Sequence, residues 1–145
     1  MVVYVLLIAM SLGTIYNIYK FLKNEVHTKI LWPKKILSFL FLAAIVFMYF
    51  KFSDLKIINL AVGLVGWIFF VSGFLAEGFS TRGVTITPNS LFISIFSNWR
   101  DLDKVKYMKL EKGNTLVNFK VSSWEIRQVY SDEEIKKFKK YLKEN

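Results

Sequence analysis

Residues 57–76, IINLAVGLVGWIFFVSGFLA, form a run of 20 with no charged side chain. A helix rises about 1.5 Å per residue, so this run reaches roughly 30 Å, the thickness of a bilayer's hydrocarbon core. Two further runs share its character. Residues 2–19 are uncharged, and residues 36–50 are uncharged between Lys34-Lys35 and Lys51. The last of these is short for a span. Its flanking lysines can extend their stems toward the interface, and Phe52 lengthens the apolar stretch; a helix buried in a soluble core is the competing reading at that length. The first run has no basic segment before it, and Tyr19-Lys20-Phe21-Leu22-Lys23 follows it, so it reads as a retained anchor rather than a cleaved signal. Three transmembrane helices are expected.

Charge divides the chain in two. Residues 1–77 hold seven of the 20 basic and three of the 11 acidic side chains, in short clusters between the runs. Everything after Glu77 is charged at the density of a water-soluble domain. A transmembrane region over 1–80 and a separate domain over 81–145 follow. The first loop, residues 20–35, carries five lysines against Glu25, and the second, residues 51–56, carries two against Asp54. Positive loops stay inside, which predicts an N-terminus outside and both the first loop and the C-terminal domain in the cytoplasm.

No Asp, Glu, Lys, Arg or His lies within the three runs. Ion pathways and proton relays need such groups at depth, so a stand-alone ion-coupled transporter is not expected. Asn17 and Asn59 sit near run ends, where interfacial hydration would satisfy them. Ala61, Gly63, Gly66 and Gly73 are small residues that let another helix approach closely. Their partner is either the chain's own Ala43-Ala44 or a second membrane helix, from a homo-oligomer or another membrane protein.

From Gly83 onward the pattern changes to short alternations. Residues 83–87, 91–96, 104–110, 115–121 and 124–130 read as five strands, with turns at Pro88-Asn89-Ser90, Glu111-Lys112-Gly113-Asn114 and Ser122-Ser123. Ser131 and Glu134 form a capping box that opens a terminal helix with acids first and lysines later. Ile135, Phe138 and Leu142 give that helix a narrow apolar stripe. The fold class is therefore a three-helix membrane part plus a small α+β cytoplasmic domain, an antiparallel strand meander closed by a C-terminal helix.

The stretch GVTITPNSLFISIFSNWRDLDKV (83–105) and the terminal SDEEIKKFKKYLKE (131–144) carry a resemblance. The layout resembles bacterial membrane proteins with two or more N-terminal spans and a C-terminal PH-like domain. The resemblance implies a binding module and brings no catalytic residues with it. Five strands are fewer than a full PH barrel has.

Candidate chemistry is sparse. Cysteine is absent and His27 is the single histidine, which removes disulfides, thiolate nucleophiles and multi-histidine metal sites. Asp101 and Asp103 stand beside Arg100, Lys104 and Lys106, which would neutralise them. Trp99, Leu102 and Val105 are spaced to anchor a corner, leaving the acids pointing to water. Lys136, Lys137, Lys139 and Lys140 are candidates for contact with anionic lipid at the inner leaflet; a simply solvated helix face is the competing reading, since residues 132–144 net only +1. The overall charge of +9 fits cytoplasmic loops better than nucleic acid, for which no motif is present. The functional expectation is a non-enzymatic integral membrane binding or accessory protein in the bacterial cytoplasmic membrane. It needs no cofactor and no small-molecule substrate, and touches lipid and a membrane-protein partner. The alternative is an immunity protein that protects its producer from a membrane-active toxin.

Overall fold

The computed structural model describes residues 2–51, 57–88 and 93–144. Three helices come first: α1 (Val2–Lys23), α2 (Trp32–Lys51) and α3 (Ile57–Leu75). All three are long and apolar enough to cross a membrane. α2 starts four residues before its uncharged run, with Pro33 in the first turn, where the missing N–H forfeits no helical bond. At 20 residues it falls between α1 with 22 and α3 with 19. α3 packs against both other helices. A side chain at Gly13 would meet the ring of Phe69, and one at Gly63 would come 2.8 Å from Ile45 Cγ2. Trp67 Nε1 donates to the backbone oxygen (3.0 Å) and hydroxyl (3.1 Å) of Ser38, fastening α3 to α2.

Seven strands are present among the described residues. β1 (Val26–His27), β2 (Gly78–Ser80), β3 (Gly83–Ile86) and β4 (Ile95–Asn98) form one antiparallel sheet in that order. β5 (Leu102–Leu110), β6 (Asn114–Val121) and β7 (Trp124–Ser131) form a second. The strand expected over 91–96 falls partly outside the described residues, and the described strand runs Ile95–Asn98. The two strands that alternation does not announce are β1 and β2. β1 lies in the loop between α1 and α2, and pairs Val26 with Phe79 and His27 with Gly78. The sheet domain thus takes in residues on both sides of α2 and α3, ahead of position 81.

One 3-10 turn, Trp99–Asp101, carries β4 directly into β5, and Lys29 N–H donates to Val129 O (2.8 Å) on the far side. The two sheets are therefore linked along both flanks. The β5–β6 connection puts Lys112 (φ 62°) and Gly113 (φ 67°) in the left-handed region, which glycine enters without steric cost. A bulge at Lys104 (φ 51°) bends β5 where its register shifts between Asp103 and Lys106.

Alternation sends Val84, Ile86, Val117, Phe119 and Val121 into one core with Phe79, Trp99, Ile126 and Tyr130. α4 (Asp132–Glu144) closes it with Ile135 and Phe138. Its start is the capping box the sequence announces: Glu134 N–H donates to Ser131 Oγ (3.3 Å) and Ser131 N–H to Glu134 Oε2 (2.7 Å). Phe138 is fully buried and meets Trp99 and Phe79 edge-on at centroid distances of 4.9 and 5.3 Å. Edge-on contacts of this kind contribute on the order of 1 kcal/mol each beyond the area they bury. The polar core groups are paired: Tyr130 Oη donates to Gln128 Oε1 (2.6 Å), and Gln128 Nε2 to Thr85 O (2.9 Å).

Candidate functional site at the helix–sheet junction

Asp101 and Asp103 belong to a corner between β4 and β5. Both are exposed, while Trp99 and Leu102 are buried and Val105 packs against the core. Asp101 Oδ2 accepts the N–H of Asn98 (3.3 Å), and Trp99 Nε1 donates to the oxygens of Ser80 and Thr81 (3.2 and 3.1 Å). Among the described residues no three His, Asp or Glu side chains converge as a metal-holding group.

The small residues of α3 divide between its two neighbours. Gly63 faces Ile45 of α2, Gly66 lies nearest Met10 Sδ of α1, and Ala61 is half-buried. Gly73 is buried, and its oxygen accepts the hydroxyl of Thr87 (2.6 Å). Lys136, Lys137, Lys139 and Lys140 are all exposed on α4. Lys139 lies over the Tyr107 ring (4.6 Å) and Lys140 near Glu144 (3.8 Å), so neither stands isolated.

The polar groups that the structure concentrates lie elsewhere, where the three helix ends meet the first sheet. Asn17, near the end of α1, is fully buried rather than hydrated. Its Oδ1 accepts the N–H and the hydroxyl of Ser94 (2.9 Å each), and its Nδ2 donates to Ser72 Oγ of α3 (3.0 Å). Immediately after α1, Asn24 Nδ2 donates to Ala76 O (2.8 Å) and Asn24 Oδ1 accepts the Thr85 hydroxyl (2.9 Å). Thr85 of β3 and Thr87 just after it lie opposite Val84 and Ile86, so one sheet face makes the core and the other receives the helix ends.

Glu77 and Lys34 complete the junction. Lys34 Nζ donates to both carboxylate oxygens of Glu77 (2.6 and 2.7 Å). Glu77 is 4% exposed. Burial pushes its carboxyl above the usual range, and the charge of Lys34 opposes that rise. Glu25 behaves the other way. Its Oε1 accepts Thr81 N–H (3.1 Å) and its Oε2 the Tyr141 hydroxyl (3.0 Å), and the Thr81 bond chiefly holds its carboxyl below the usual range. His27 stacks on Phe21 (4.0 Å, 19°), and burial lowers its pKa while Glu134 opposes the shift.

Two clefts open at this junction. One, about 340 Å³, lies between the end of α1 and the β2–β3 turn, with Lys20, Lys23, Glu25, Thr81, Arg82 and Phe96 on its walls. The other, about 440 Å³, is bounded by Leu31, Lys34, Glu77, Thr87, Glu125 and Arg127. Sequence reasoning missed both. Their side chains come from segments more than 40 residues apart, and the one signal available was the lysine pair Lys20 and Lys23 closing the first run. Searches against known protein families, curated proteins and solved structures find no match for this chain.

Proposed function

We propose that the chain is an integral membrane protein that acts by binding. In this reading α1, α2 and α3 cross the bacterial cytoplasmic membrane, the N-terminus lies outside, and the sheet domain sits at the cytoplasmic face. It serves as an accessory protein for another membrane protein or a second copy of itself, and it catalyses nothing. One observation carries the reading: the outward faces of the helices are apolar and bare. Trp32, Phe39, Phe50 and Ile57 are 75%, 70%, 79% and 77% exposed, a density of apolar surface that water does not tolerate. Lysines border α1 and α2 at the sheet end (Lys20, Lys23, Lys34 and Lys35), and the first loop shares that end with the sheet domain, in keeping with the charge-based topology. The four-plus-three strand arrangement with a terminal helix supports the PH-like assignment, and β1 and β2 supply the strands by which the sequence fell short.

The test is extraction of the full chain from native membranes in mild detergent, with the subunit ratio measured in the purified particle. A fixed stoichiometry with a second membrane protein, or a defined homo-oligomer, is expected. Substrate turnover or ion flux by the chain alone in liposomes would contradict the binding role.

A further inference from the structure

We propose that the cleft between α1 and the β2–β3 turn binds a phosphate group, held by Lys20, Lys23 and Arg82. The group is carried by an anionic lipid headgroup or by a soluble phosphate. The lipid case rests on the membrane reading above.

Charge balance is the first reason. Three cations and one carboxylate line the cleft, for a net of +2. That carboxylate is already engaged, since both oxygens of Glu25 accept hydrogen bonds from Thr81 and Tyr141. Among the described residues, Lys20, Lys23 and Arg82 form no ion pair. Lys20 Nζ instead lies 5.2 Å from the Tyr16 ring centre and 5.3 Å from that of Phe96, and Lys23 Nζ 5.5 Å from that of Tyr19. Aromatic faces hold an ammonium in place without cancelling its charge. The two lysines also offset the partial negative charge at the end of α1.

Shape is the second reason. A volume of about 340 Å³ is at the small end of ligand sites, enough for a phosphate and its ester substituent. Arg82 offers the planar donor fork suited to phosphate oxygens, and Lys20 and Lys23 act as point charges. The rest of the molecule fails one criterion or the other. In the second cleft Lys34 and Arg127 face Glu77 and Glu125, so its net charge is zero and Lys34 is already paired. The lysines of α4 stand exposed, and none of them lines either junction cleft; Lys137 contributes only by its field at Glu25. Position is the third reason. The cleft begins at the last turn of a helix long enough to span, which is headgroup level.

The experiment uses the full chain in phosphatidylcholine nanodiscs, with and without a minor fraction of phosphatidylglycerol. Bound lipid is counted by native mass spectrometry, and inorganic phosphate is titrated onto the neutral discs with phosphorus NMR as readout. The expected result is retention of phosphatidylglycerol over phosphatidylcholine, or phosphate binding in neutral discs, reduced about tenfold or more in K23Q/R82Q. Arg82→Lys alone should restore part of the binding, and K136Q/K137Q should leave it unchanged. The first arm identifies a lipid source and the second a soluble one. Absence of both, or binding that survives K23Q/R82Q at wild-type strength in a variant of unchanged thermal midpoint, overturns the proposal. Incorporation into neutral discs is scored separately, because its failure would remove the membrane reading and leave the phosphate titration to be run in detergent.

Discussion

The helical part and the sheet domain solve the same problem in opposite ways. No side chain of α2 is buried, and α1 and α3 bury mostly the small or polar residues Gly13, Asn17, Ser72 and Gly73. In β3 all four residues are buried. The sheets and α4 make an interior of their own from Phe79, Trp99, Phe119, Tyr130 and Phe138, and point their charges outward. The helices make contacts between one another and leave their large apolar groups bare. On the proposed membrane reading, that difference is what two parts built for two solvents show.

The parts are not independent, because β1 is threaded between two of the helices and the junction residues tie each helix end to β3. Breaking the junction therefore has the largest expected effect. Lys34→Gln leaves the Glu77 carboxylate buried without its counter-ion, a loss of roughly 3–5 kcal/mol. The sign with pH follows from the raised carboxyl of Glu77. The folded state holds its proton above the ordinary carboxyl range, so stability falls as pH rises from about 4.5 through the folded value. Removing Lys34 deepens that fall. Thermal unfolding in micelles, followed by tryptophan fluorescence, should show a larger deficit for the variant at pH 8 than at pH 5.

The contrast in solvents is sharpened by a matched pair. Leu40 of α2 and Met108 of β5 are equally exposed, at 57%. Leu40→Lys places a charge near the middle of a proposed span and should cost about 2.5–3.5 kcal/mol of insertion. Met108→Lys meets only water and should stay within about 0.5 kcal/mol. Membrane fractionation and thermal midpoints check both, and equal behaviour of the two variants would break the comparison. Asn17→Leu is the smaller junction lesion. It strands the N–H and hydroxyl of Ser94 and should cost about 1–3 kcal/mol, read as a drop in thermal midpoint.

Much of this was legible in the sequence, and the limit has a physical cause. Long apolar runs and period-2 alternation are local, so the three helices and β5, β6 and β7 could be read directly. The capping box at Ser131 is equally local. β1 is two residues long and has no period to detect, and its partner Phe79 lies 53 positions away. Residues 78–80 pass for the frayed end of a span because they carry no charge. Asn17 reads as interfacial in sequence, since its partners Ser72 and Ser94 come from other segments. Asp101 and Asp103 were resolved by the opposite logic, because the spacing of Trp99, Leu102 and Val105 already described a corner. The basic cleft needed the fold, which alone brings Arg82 beside Lys20 and Lys23.

The central claim is that the helices cross a bilayer and the sheet domain shares one side with the first loop. A chain without cysteine allows a direct test. Single cysteines at Lys51, at the far end of α2, and at Ser123, in the exposed β6–β7 turn, are each probed in intact cells with a membrane-impermeant maleimide. The account predicts labelling of the Lys51→Cys protein from outside and labelling of the Ser123→Cys protein only after permeabilisation. Labelling of both from outside, or the reverse pattern, would contradict it.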